Sequence, residues 1–104
     1  MIGVFVKKYH IAILKEDESF LDKMMVALKS WYRNRVVIEG FKCPREMFEA
    51  IHISEIKHKP FDIAILSPAE DIEKRILNKS NPKLKVVLCE DERALKSEMC
   101  KIVA

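Results

Sequence analysis

Ile11-Ala12-Ile13-Leu14-Lys15-Glu16-Asp17 is the stretch that decides the fold: an apolar run that stops against a charged one. A strand with one wet face alternates apolar and polar side chains, whereas a strand covered on both faces reads as an unbroken apolar run. Residues 11–14 are therefore read as the first main strand of a parallel sheet, and the charged residues as the loop at its carboxyl end. From Ser19 onward, Leu21, Met24, Met25, Leu28 and Trp31/Tyr32 recur at helical spacing. Ser19 and Asp22 read as a capping-box pair, with Asp17 and Glu18 near the positive end of the helix dipole. The helix is expected to end around Arg33-Asn34.

The same alternation continues. Val36-Val37-Ile38 is a β-branched strand closed near Gly40, and Pro44 stands where a first helical position belongs, ahead of the stripe Met47, Phe48 and Ile51. Residues 57–60 break that helix before the strand run Phe61-Asp62-Ile63-Ala64-Ile65-Leu66. Ser67-Pro68-Ala69-Glu70 then reads as N-cap, proline at the first helical position and capping-box glutamate, opening a short third helix with Ile72, Ile76 and Leu77. After Asn81-Pro82 come a fourth strand, Lys85-Val86-Val87-Leu88-Cys89, two helical turns over residues 92–99, and a β-prone end, Lys101-Ile102-Val103-Ala104. The order βαβαβαβαβ predicts an α/β fold: a flavodoxin-like, doubly wound parallel sheet of five strands in the order 2-1-3-4-5. A barrel needs more chain.

At 104 residues, 49% of them hydrophobic and 34% charged, the chain makes one soluble domain and is not disordered. Residues 1–8 are read as an N-terminal extension and 9–104 as the core. The net charge of +3 is spread along the chain with no run of five or more like charges, so a solvated surface is expected and no direct nucleic-acid contact. The apolar residues 2–6 are too few for a signal-peptide core or a membrane span; no membrane association and a cytoplasmic location are expected. Cys43, Cys89 and Cys100 form no C-x-x-C pair, and are expected to pack as small hydrophobes. Gly3 and Gly40 are the only glycines, which rules out the glycine-rich phosphate loops.

In this order and spacing the pieces resemble the receiver domain of two-component response regulators, most closely receivers attached to LytTR-type DNA-binding domains. The resemblance covers residues 9–104. It is carried by residues 11–17 followed by Phe20-Leu21, residues 36–41 with Glu46-Met47-Phe48-Glu49-Ala50-Ile51, residues 61–66, and Asn81-Pro82 with Lys85-Val86-Val87-Leu88. The family implies a Mg²⁺-dependent site at the carboxyl edge of the sheet. It comprises two acidic residues after the first strand, an aspartate nucleophile after the third, a Ser/Thr after the fourth and a lysine after the fifth.

In this chain those positions fall on other residues. The acidic pair falls on Lys15 and Glu16, with Asp17 next, so a cation stands where the metal is held. The nucleophile position falls on Ser67, and no histidine (His10, His52, His58) is placed to assist it. The Ser/Thr position falls near Cys89-Glu90-Asp91, the lysine is missing, and so is the family's final helix. The resemblance thus implies a degenerate receiver, a pseudo-receiver, with no catalytic residues, no metal site and Mg²⁺ binding lost or weak. Lys15 either replaces the metal, neutralising Glu16 and nearby carboxylates, or is freely solvated.

Ser67 is a phosphate acceptor or a helix N-cap, and its Ser-Pro-Ala-Glu context favours the cap. Cys89 is a nucleophile only if its thiol is acidified, and Glu90, Asp91 and Glu92 push the other way. Loss of the final helix is expected to bare apolar surface beside the first one. Either residues 2–6 fold back over it or two chains associate there. The expected function is a non-enzymatic, phosphorylation-independent signalling module. It acts by protein–protein contact in a bacterial-type phosphorelay, with a kinase, regulator or another receiver as partner, or as a homodimer. The alternatives are a conventional receiver from a transcription regulator that still accepts phosphate, and a small thiol enzyme using Cys89.

Overall fold

Four parallel strands form one sheet in the order β2-β1-β3-β4, with four helices between and after them, in a computed structural model describing residues 8–103. The elements are β1 (Tyr9–Leu14), α1 (Glu18–Tyr32), β2 (Val36–Phe41), α2 (Pro44–Ile56), β3 (Ile63–Leu66), α3 (Asp71–Ser80), β4 (Lys85–Leu88) and α4 (Glu92–Ile102). β1 pairs with β2 over its whole length, and its inner residues Ile11, Ala12 and Ile13 pair with Ile63, Ala64 and Ile65. This mixed α/β architecture is compatible with a flavodoxin-like fold.

Alternation along the strands builds two cores. Ile11, Ile13, Ile63, Ile65 and Val87 face Leu21, Met24 and Leu28 of α1 and Leu95 and Met99 of α4. Ala12, Leu14, Ala64, Leu66 and Val86 face Met47 and Ile51 of α2 and Leu77 of α3. The residues of β1 and β3 that feed these cores are wholly buried on both sides, as an unbroken apolar run requires. Each such Ile or Leu contributes roughly 1.5–3 kcal/mol by leaving water. Ile72 and Ile76, by contrast, lie on the outer face of α3 and are exposed.

A fifth strand is not formed among the described residues. α4 runs on through Lys101 and Ile102, and Val103 N–H still donates to Met99 O at 2.8 Å. Asp91 caps this helix through Ala94 N at 2.8 Å, and Leu95, Met99 and Val103, four residues apart, continue its buried stripe. The β-prone Lys101 and Ile102 therefore continue the helix, and Val103 ends it with an extended backbone while its side chain packs into the same core.

α4 also corrects the expectation of a bare face beside α1. It packs on the same side of the sheet as α1, with Lys96 Nζ 4.6 Å from the centre of the Trp31 ring. The face assigned to residues 2–6 or to a second copy is thus occupied by the chain's own last helix. Residues 2–6 and Ala104 lie outside the described residues. The α1 cap is likewise Asp17, whose Oδ1 accepts from Phe20 N at 3.1 Å, rather than Ser19.

Candidate functional site

Lys15 follows β1 directly, and its N–H donates to Phe41 O at 3.0 Å, extending the β1–β2 ladder by one step. Its side chain is pointed into the carboxyl edge of the sheet, and the residue is 5% exposed, the one charged residue among the buried ones described. The ammonium donates to Ser67 Oγ at 2.9 Å and to the Cys89 carbonyl at 2.8 Å, and sits 5.4 Å from the centre of the Phe20 ring. One side chain therefore ties the end of β1 to the segments following β3 and β4, while its backbone ties β1 to β2.

The acceptors are held by local structure. Ser67 follows β3 and caps the helical turn Pro68–Glu70; Glu70 Oε1 accepts from Ser67 N at 2.8 Å, closing the capping box read from the sequence. Cys89 N donates to Leu66 O at 2.8 Å, which carries the β3–β4 pairing one residue past β4 and presents the Cys89 carbonyl to Lys15.

Burial lowers the Lys15 pKa from its usual 10.5, against the favourable charges of Cys89, Glu70, Glu90 and Asp91. Lys15 is thus not freely solvated, and the carboxylates that balance it come from the β3 and β4 ends rather than from Glu16. Burial and then Glu98 push the Cys89 thiol up to about 11, with Lys15 opposing and Asp91 adding to the rise. The direction is that read from the sequence, but burial is the main cause and Glu98 outranks the acids next to Cys89. A thiol held protonated in this way is a poor nucleophile.

Of the six pocket positions read from the sequence, Lys15, Ser67 and Cys89 meet. Asp17 is used up as the cap of α1, and Glu90 is exposed. Glu16 is exposed and lines a cleft of about 520 Å³ with Lys42, Cys43, Pro44, Ser67, Ala69 and Glu70. Lys42 and Cys43 enter the site because the β2–α2 loop lies beside those after β1 and β3, a juxtaposition with no local signal. Glu70 was visible only as a cap, and its second role as a balancing charge depends on where Lys15 ends.

The remaining titratable groups lie elsewhere. His10 lies near the start of β1, at the opposite end of the strand from Lys15, with Nε2 2.6 Å from Glu39 Oε2 and its ring stacked on Phe61 at 3.7 Å. Cys89 is buried as expected of a small hydrophobe; Cys43 is half-buried and Cys100 is exposed on α4, contrary to that expectation. Among the described residues, no three His, Cys, Asp or Glu side chains converge as metal ligands, and no helix is long and apolar enough to cross a membrane.

No protein-family model, no curated protein and no solved structure matches this chain.

Proposed function

We propose that this chain is a receiver-like signalling module that works by protein–protein contact without binding Mg²⁺ or accepting a phosphoryl group. The single observation that supports this most is the Lys15 ammonium, 2.9 Å from Ser67 Oγ and 2.8 Å from the Cys89 carbonyl. These two oxygens are the ones that the ends of β3 and β4 offer at this point, and Lys15 engages both. The donor set does not suit Mg²⁺, which demands octahedral oxygen coordination that includes carboxylate charge. A hydroxyl, a carbonyl and a buried cation supply neither the charge nor the room.

On this reading the arrangement that the metal and phosphate stabilise in a working receiver is held permanently by a covalently attached cation. The order β2-β1-β3-β4 supports the receiver-like, doubly wound assignment for the part of the sheet present. A phosphorelay setting, with a kinase, a regulator or another receiver as the partner, follows from that assignment.

The test is a two-dimensional amide NMR titration with Mg²⁺ and then beryllofluoride, the phosphoryl mimic. The expected result is an unchanged spectrum at residues 15–17, 67 and 89–91. Saturable shifts there would favour the conventional, phosphate-accepting receiver and overturn this reading.

A further inference from the structure

We propose that Lys15 and Ser67 form a serine–lysine dyad that takes an acyl group from a small activated ester, with Ser67 Oγ as nucleophile and Lys15 Nζ as its base. The inference goes beyond the signalling reading and does not rest on it, because the ammonium that fills the cation position exchanges with a neutral fraction, and only that fraction acts as the base.

Three observations carry it. Nζ lies 2.9 Å from Ser67 Oγ, inside the reach a nucleophile and its base require. The bond to the Cys89 carbonyl at 2.8 Å is a second anchor that aims the nitrogen, as the third group of a catalytic triad aims its histidine. Ser67, finally, is a shared wall: it touches the buried lysine and also lines the 520 Å³ cleft beside Glu16, Lys42, Cys43 and Glu70. A substrate in the cleft lies against Ser67 without having to reach the base.

Burial, the strongest influence on Lys15, lowers its pKa and so enlarges the neutral fraction that can act as a base, against the opposing pull of Cys89, Glu70, Glu90 and Asp91. A neutral amine keeps two N–H groups and one lone pair. One N–H holds the Cys89 carbonyl while the lone pair accepts the Ser67 hydroxyl proton. In the reaction, the Oγ–carbonyl carbon bond forms as the ester's bond to its leaving oxygen breaks. The Ser67 proton passes to Nζ and then to the leaving oxygen. Water releases the acyl group as the acid by the same base, and no electron transfer is involved.

The experiment incubates the full chain with p-nitrophenyl acetate in the absence of Mg²⁺, following p-nitrophenolate release and mapping acetylated peptides by mass spectrometry. Acetyl on Ser67 is expected, absent in Ser67→Ala. Lys15→Arg, which stays protonated, is expected to slow Ser67 acetylation by about 10²-fold or more. Lys15→Met, which keeps the apolar stem, is the second variant, with circular dichroism confirming the fold. Acetyl confined to Cys43, Cys100 or surface lysines overturns the dyad, as does Ser67 acetylation in Lys15→Arg or Lys15→Met at the wild-type rate. Beryllofluoride binding would sink the signalling reading and leave this result untouched, so the two failures are distinguishable.

Discussion

Lys15→Met keeps the length of the side chain that crosses the carboxyl edge of the sheet and removes only the ammonium, whereas Lys15→Glu reverses its charge. In the wild-type protein the ammonium satisfies the Cys89 carbonyl and Ser67 Oγ. Leaving a buried carbonyl without a donor costs about 1–3 kcal/mol, while Ser67, on the cleft wall, recovers a water. Against that loss stands the effective penalty of burying an ammonium, on the order of several kcal/mol. The lowered pKa sets the sign for the charge itself: burial outweighs the attraction of Cys89, Glu70, Glu90 and Asp91.

The two effects oppose each other, and Lys15→Met is expected to lie within about 1 kcal/mol of wild type at neutral pH. Lys15→Glu places a carboxylate against the Cys89 carbonyl, Glu70, Glu90 and Asp91, and is expected to lose about 3–5 kcal/mol. That is a large share of the roughly 5–15 kcal/mol typical of a domain. Urea unfolding followed by circular dichroism, with unchanged m-values, measures both. If Lys15→Met proves as damaging as Lys15→Glu, the ammonium is a net stabilising pin and the weight given to its burial cost is wrong.

The same physics predicts a response at alkaline pH. The folded state keeps the Cys89 proton up to about 11, while the unfolded chain releases it from 9.0, so stability falls as pH rises through that window, by on the order of 3 kcal/mol. Lys15 acts the other way, since the folded protein releases its proton before the unfolded chain does, and stability rises towards 10.5. The difference between wild type and Cys89→Ala in urea midpoints from pH 8 to 11 isolates the thiol, and an identical slope in the two would rule the effect out. In the α1–β2 packing, Gly40→Ala sets a methyl 2.7 Å from Met25 Sδ and 3.1 Å from Leu21 Cδ2, forcing both side chains to shift. A loss of about 1–3 kcal/mol is expected, read as a lower melting temperature; a variant as stable as wild type would show that α1 yields freely at this point.

The parallel sheet was legible because its evidence is local. Unbroken apolar runs at residues 11–14 and 63–66 announce burial on both faces, and Pro44 and Ser67-Pro68-Ala69-Glu70 mark helical starts through the fixed φ of proline and the reach of a glutamate. The positions Lys15, Ser67 and Cys89 were legible as well, since each directly follows an apolar strand run or ends it, and in a parallel sheet all carboxyl ends share one edge. What residues 101–103 become was not legible from their letters. Val and Ile favour strands, but here the packing of Leu95 and Met99 against the sheet carries the helix through Ile102 and leaves only Val103 extended.

Tertiary structure alone decided the state of Lys15. Its neighbours in sequence, Glu16 and Asp17, offered the obvious ion pairs, yet one lines a cleft and the other caps α1. The partners that matter stand 52 and 74 positions away, at Ser67 and Cys89. The sequence by itself determined which side chains stand at the carboxyl edge, because strand period and helix capping act over a few residues. Whether the cation there faces water or two oxygens depends on how the strands line up and on what the helices cover, and those are properties of the packed sheet.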